Sequence, residues 1–336
     1  MPTHGPIIVS SPPRGRIHDF DLVVLGGRPL VVATPDLSRL VCTWDPATDL
    51  WTEYELDNPC EAGDYTELTA LGAAVVDGRI VVGGGGDHQG FALWDLATGK
   101  VRLSEEEGGV ASTTAADFGG DTLFVVGSSG MGVSLWDPAV VEPEESDGGS
   151  APDQPSRYDF EIEIEEVEAR SYAGSAVAAG MLGDRRVVVA NGHHDGVLVW
   201  DVDDAAPVSK FDDLDEAPTD FALTAVGGRP CVVAAAGRSL LLGDPVTGGW
   251  DEPLTAPGGD ISCLDAGSVR GRPVAVTGAE DGTICVWDLA GHQLLGRPFR
   301  EYGSTVHGVR MAELDGRPVV IGAAHVDSVC VWELPV

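Results

Sequence analysis

Histidine and aspartate recur together along the chain. His18 stands in RIHDF (16–20), His88 in GGDHQG (85–90), His193 and His194 in NGHHDG (191–196), and His325 in AAHVD (323–327); His307 follows TV at 305–306. An imidazole beside a carboxylate can ligate a divalent metal, move a proton near neutral pH, or hydrogen-bond a strand end. The spacing selects none of these. No His-x-x-x-His pair occurs, and neighbouring residues such as His193 and His194 point to opposite sides of a strand. There is no G-x-S-x-G nucleophile elbow, and the glycine-rich run VVGGGGDHQG (81–90) leads into a strand, not the helix N-terminus that a phosphate loop requires.

The elements that must carry these side chains repeat. A pentad ending in Trp-Asp or Trp-Glu closes at Asp45, Asp95, Asp137, Asp201, Asp288 and Glu333, and a worn copy, LLLGD, has Gly243 at the Trp position. The Trp positions fall at 44, 94, 136, 200, 243, 287 and 332, with gaps of 50, 42, 64, 43, 44 and 45. A period of 40–45 residues signals a radial or stacked array. Ahead of each pentad runs a β-branched stretch opened by a turn, such as GRPLVVAT (27–34), GRPCVVAA (228–235) or GRPVVIGA (316–323). Each reads as a buried strand, with Pro29, Pro230, Pro273 and Pro318 near its start, where a missing N–H is tolerated. An apolar run precedes this strand, and a more polar one, such as WTEYEL (51–56), follows the pentad. Four strands, seven times, without helical periodicity, predict an all-β, seven-bladed β-propeller with four antiparallel strands per blade.

The Trp-Asp marks in register with seven β-runs resemble the WD-repeat family of propellers over nearly the whole chain, as a stand-alone bacterial member; AEDGTICVWD (279–288) is near the family consensus. The resemblance implies a structural tetrad of Trp, a middle-strand Ser/Thr, a turn Asp and a His before the first strand. In blade six Thr277, Asp281 and Trp287 match, but PGGD (257–260) replaces the His; in blade four Asp195 and Trp200 match, but Asn191 replaces the Ser/Thr. With most tetrads broken, stability must rest on packing. The resemblance also implies one domain over 1–336, closed by pairing of PIIVSS (6–11) as the outer strand of the last blade. The acidic, Pro/Gly/Ser-rich stretch at 140–157 reads as a flexible insertion within blade three, ahead of an outer strand at 158–168.

In this family ligands sit on the top face, around the channel mouth, built by the loops before the first strand and between the second and third. His18, His88, His193, His194, His307 and His325 map to that face; His4 and His292 do not. Tyr65, Tyr172 and Tyr302 begin or precede first strands and could ring the mouth, with Arg170 beside them. Asp64, Asp220 and Asp260 could add negative charge there. Two functions follow. The preferred one is a non-enzymatic scaffold that binds a protein or peptide through these residues. The alternative is an enzyme, a lyase, isomerase or hydrolase, with His18, Asp19, His88, His307 and His325 as acid, base or ligands of a divalent metal. His18 could instead be the tetrad His of blade one. No cofactor is expected for the scaffold.

Composition narrows the partners. With 54 acidic and 20 basic residues the formal net charge is −34, and Lys100 and Lys210 are the only lysines. Such a surface repels nucleic-acid phosphate and anionic membranes, and steers in a basic or Arg-containing protein or peptide. The N-terminal MPTHGPIIVSS lacks the basic start and apolar core of a signal peptide, and no apolar run approaches 18 residues, so a cytoplasmic protein is expected. The ring needs no partner to fold, so a monomer is expected. Cys42, Cys231, Cys263, Cys285 and Cys330 fall on core strands of different blades and read as small apolar residues; Cys60 reads as the one exposed thiol.

Overall fold

The computed structural model describes residues 5–35, 39–59, 68–86, 89–104, 109–128, 132–139, 176–191, 196–212, 214, 216–300, 302–324 and 328–336. It is a seven-bladed β-propeller of antiparallel sheets. The inner strands are Ile17–Leu25, Ala70–Val76, Val110–Asp117, Val177–Leu182, Asp220–Val226, Ile261–Val269 and Val306–Leu314. Each touches the next around the circle, and the last touches the first. Blade three shows three strands among the described residues; its expected outer strand at 158–168 lies outside them, as does the insertion at 140–157. Blade five splits its outer strand into Gly249–Trp250 and Leu254–Thr255.

The N-terminal strand Ile8–Ser10 completes blade seven, pairing Ile8 with Val331, Val9 with Cys330 and Ser10 with Val329. A polar lock fastens it to blade one. The Ser10 hydroxyl donates to Asp49 Oδ1 at 2.5 Å and accepts Trp51 Nε1–H at 2.8 Å, while Trp44 Nε1–H donates to the same Asp49 oxygen at 3.0 Å.

The core lies between blades. Apolar side chains gather into seven clusters, each shared by two adjacent blades; one packs Trp94 and Val82 of blade two against Val32 and Val41 of blade one. Period-2 alternation explains this, because a propeller strand has a neighbouring blade on each side and needs apolar residues on both. The five described cysteines are buried and free, four of them within these layers.

The Trp-Asp pair has a local reason. The Asp begins the turn after its strand and accepts turn N–H groups: Ala47 on Asp45 at 2.9 Å, Asp203 on Asp201 at 2.9 Å, Val246 on Asp244 at 2.8 Å. The Trp fills the layer between blades. The tetrad survives in blade six as far as Trp287 Nε1–H on Thr277 Oγ1 at 2.9 Å. Where the His would stand, Gly258 packs so closely that an added Cβ would lie 2.8 Å from an Asp281 carboxylate oxygen. In blade four Asn191 Oδ1 accepts the Ala176 N–H at 3.2 Å, and Asp195 lies outside the described residues. In blade seven Gly322 replaces the Thr, the buried Trp332 indole N–H has no hydrogen-bond partner among the described residues, and Tyr302 fills the space.

The worn pentad of blade five is a transposition. An added Cβ at Gly243 would meet Phe211 at 2.6 Å and Trp250 at 2.7 Å. Trp250, directly across the ladder from Gly243, supplies the missing indole from the outer strand and packs at a tilt of 33° against Phe211, with ring centroids 4.4 Å apart.

Candidate functional site

At the top of the inner strands the chain is bulged in four blades, between Ile17 and Asp19, Val110 and Ser112, Ile261 and Cys263, and Val306 and Gly308. The extra residues are His18, Ala111, Ser262 and His307. A bulge re-aims a side chain at a sheet end, and here it places His18 and His307 at equivalent positions of adjacent blades one and seven. Thr69 and Thr219 occupy the same level in blades two and five, where Thr219 Oγ1 donates to the Ile261 carbonyl at 2.9 Å; Ser262 Oγ likewise donates to the Val306 carbonyl at 2.6 Å.

Below this rim a polar cavity of about 430 Å³ occupies the channel; its lining includes His307 and the charged side chains Asp19, Asp21, Asp220, Asp265 and Arg310. The aspartates form two tiers, and each accepts the backbone N–H of the next blade's inner strand. In the upper tier Asp19 accepts Leu71 N–H at 2.9 Å and Asp220 accepts Leu264 N–H at 2.8 Å. In the lower tier Asp21 accepts Ala73 N–H at 3.0 Å and Asp265 accepts Met311 N–H at 2.7 Å. The other oxygen of Asp19 and of Asp220 accepts the N–H of the following residue, each at 2.8 Å. Inner strands of neighbouring blades share no ladder, so these carboxylates tie the ring together from inside.

Arg310 takes the lower-tier position in blade seven. Its Nε donates to Asp21 Oδ1 at 3.2 Å, its Nη1 donates to the Val309 carbonyl at 3.0 Å, and its guanidinium lies 5.7 Å from the Phe20 ring centroid. Burial works against its charge, but Asp21, Asp265, Asp220 and Asp19 together hold its pKa above the usual value. One guanidinium therefore faces four carboxyl groups. Burial raises Asp19 to about 7 and Asp220 to about 6 against the pull of these N–H donors and of Arg310, and burial raises Asp265 as well.

Of the residues singled out in the sequence, the structure places His18, Asp19, Asp220 and His307 on the inner strands at the top of the channel. Tyr302 is not on the rim. It is buried against Trp332, and its hydroxyl donates to the Gly322 carbonyl at 2.5 Å while accepting the Cys330 N–H at 3.0 Å. A residue at the end of a loop can turn into the blade, and here the space left by Gly322 receives the ring. Asp64, Tyr65, His88, Arg170, Tyr172, His193, His194 and His325 lie outside the described residues, as does Cys60. Among the described residues no group of three or more His, Cys, Asp or Glu is placed to hold a metal ion, and no helix is long and apolar enough to cross a membrane. Asp21, Asp265 and Arg310 were missed. The signal was an ionisable residue inside an otherwise apolar first strand, in FDLVVL (20–25), CLDAG (263–267) and VRMAE (309–313).

No family model matches the sequence, and no curated protein is significantly similar to it.

Proposed function

We propose that the chain is a WD-repeat-like binding module that takes a basic or Arg-containing protein segment at the top mouth of its channel. One observation carries this reading: four inner-strand aspartates face one arginine beneath a rim that includes His18 and His307. A guanidinium or ammonium entering the mouth supplies the counter-charge that Arg310 alone does not, and low-dielectric walls focus the field there. The acidic surface adds steering. The supporting experiment is a quantitative pull-down from native extract, comparing wild type with a folded His18→Ala/His88→Ala/His325→Ala variant. A near-stoichiometric partner held by wild type and lost by the variant is expected. Capture of no partner by either bait would sink the reading.

The upward shift of Asp19 favours a second reading, proton transfer at the mouth, since a carboxyl poised near neutrality suits a general acid or base. Both of its oxygens, however, hold backbone N–H groups, which is the work of a structural tie. Metal retained after gentle purification, or turnover with a bell-shaped pH profile, would favour the enzyme over the scaffold.

A further inference from the structure

The opposite end of the channel carries a second pattern. Six blades begin their second strand with an arginine: Arg28, Arg79, Arg185, Arg229, Arg272 and Arg317. All six are exposed and stand on the bottom face, immediately after the hairpin turn that ends the inner strand. In a chain with only 20 basic residues, that is a substantial share on one inner rim. Three are neutralised by the pentad aspartate of their own blade: Arg28 by Asp45 at 3.9 Å, Arg79 by Asp95 at 3.1 Å and Arg185 by Asp201 at 3.5 Å. Arg229, Arg272 and Arg317, in consecutive blades five to seven, have no ion pair or hydrogen bond among the described residues, and neither does Arg270 beside them.

Tight hairpin turns lead into these arginines. Gly227 and Gly228 have φ of 60° and 77°, Arg270 and Gly271 of 51° and 78°, and Asp315 and Gly316 of 50° and 74°, the paired left-handed conformations of two-residue type I′ hairpins. Arg270 is the telling residue. It holds a left-handed conformation that glycine adopts at the equivalent point of blade five, at a backbone penalty of about 1–2 kcal/mol, with no ion pair or hydrogen bond of its side chain among the described residues to offset it. Acidic residues stand near the arc in sequence or register: Glu313, Asp315 and Glu333 beside Arg317, and Asp244 and Asp288 at the pentad ends of blades five and six, where each accepts a turn N–H, from Val246 and Gly291, and forms no ion pair with Arg229 or Arg272 among the described residues. The hairpin turns of blades five and six themselves carry no acid.

A second, independent pattern falls on the same face. Of the six exposed large apolar residues among the described residues, four stand in or beside bottom-face turns: Val24, Leu50, Met181 and Val246. Val246 flanks the arc in blade five, and Val24 and Leu50 flank it in blade one, just past blade seven. Arginine set among exposed apolar side chains is the composition of a protein interface.

We infer that the bottom face, from blade five through blade seven to blade one, docks an acidic polypeptide segment with interspersed apolar side chains. The arc spans several blades, so one small anion cannot engage it. A long polyanion would run onto the surrounding acidic surface, whereas a short acidic segment reaches Arg229, Arg272 and Arg317 and covers Val24 and Val246.

The test is fluorescence anisotropy with a labelled Glu-Leu repeat decapeptide, its Lys-Leu counterpart and a short polyphosphate, on the whole protein. Saturable binding of the acidic peptide, weakened by added salt, is expected. Arg229→Glu/Arg272→Glu/Arg317→Glu should lower its affinity about 10-fold or more while leaving the melting temperature and any top-face binding of an Arg-containing peptide unchanged. If the reversal does not fold, the neutral Gln triple variant reads the same loss in weaker form. A folded wild type that does not bind the acidic peptide, or a variant that binds it equally well, overturns the inference. Tighter binding of polyphosphate than of the peptide overturns the choice of a polypeptide.

Discussion

Asp19 and Asp220 bind protons more tightly in the folded chain than in the unfolded one, because burial raises them from 3.8 to about 7 and about 6. Folding therefore takes up protons between these values. The contribution to stability is fully present below pH 3.8 and is lost as pH rises through about 6 to 7. The melting temperature should rise on going from pH 8 to pH 5, and Asp19→Asn/Asp220→Asn should flatten that slope whatever it does to the absolute value. An unchanged slope would show that these groups do not titrate near neutrality. Trp287 gives a simpler test. Thr277→Val leaves its buried indole N–H unpaired and should destabilise by ~1–3 kcal/mol in denaturant unfolding, whereas the equivalent N–H of Trp332 has no partner to lose among the described residues. The pentad tryptophans were legible as core from their period. Which of them found a partner was not, because that depends on one atom of a residue about ten positions away. Tyr302 shows the same limit: its place before the first strand suggested the rim, and the hole at Gly322 drew it inward.

At the scale of elements, the closing strand and the hairpins were legible and the inner tiers were not. The edge of the strand Val329–Glu333 calls for a pairing partner, and PIIVSS (6–11) was a β-run ahead of the first inner strand that no other blade claimed. Ser10→Ala should destabilise by ~1–3 kcal/mol by taking the acceptor from the Trp51 indole N–H, while Asp49 keeps Trp44, and removal of residues 1–12 should do more; equal thermal melts would remove the closure from any stabilising role. Gly243 looked like erosion of the repeat and is instead complementary to Trp250 and Phe211. Restoring a side chain there should hurt: Gly243→Ala overpacks the layer and should destabilise by ~1–3 kcal/mol, read by the same unfolding assay. The aspartate ties escaped notice because periodicity describes one strand at a time, while each tie joins a side chain of one blade to the backbone of the next, 44 to 52 positions away.

For the whole molecule, the ring sets unlike surfaces at the two ends of one channel. Inner strands begin at the top, so the carboxyl groups of Asp19 and Asp220 and the bulged His18 and His307 gather at that mouth. The same strands end at the bottom, so the arginine that opens each second strand gathers there. A net charge of −34 hides this polarity, which appears only when equivalent positions of the seven repeats are laid around a circle. The repeat period was legible in the sequence and carries the fold; the net charge was legible too, but its direction needed the register. The most direct test of the central claim, a cation-binding top mouth, is isothermal titration of an Arg-containing peptide at pH 8 and pH 6, with wild type and Asp220→Asn. Tighter binding at pH 8, proton release on binding, and at least about 5-fold weaker binding by the folded variant are expected, since a cation in the mouth favours the ionised carboxyl groups. Absence of binding by wild type, or affinity indifferent to both pH and the substitution, would contradict it.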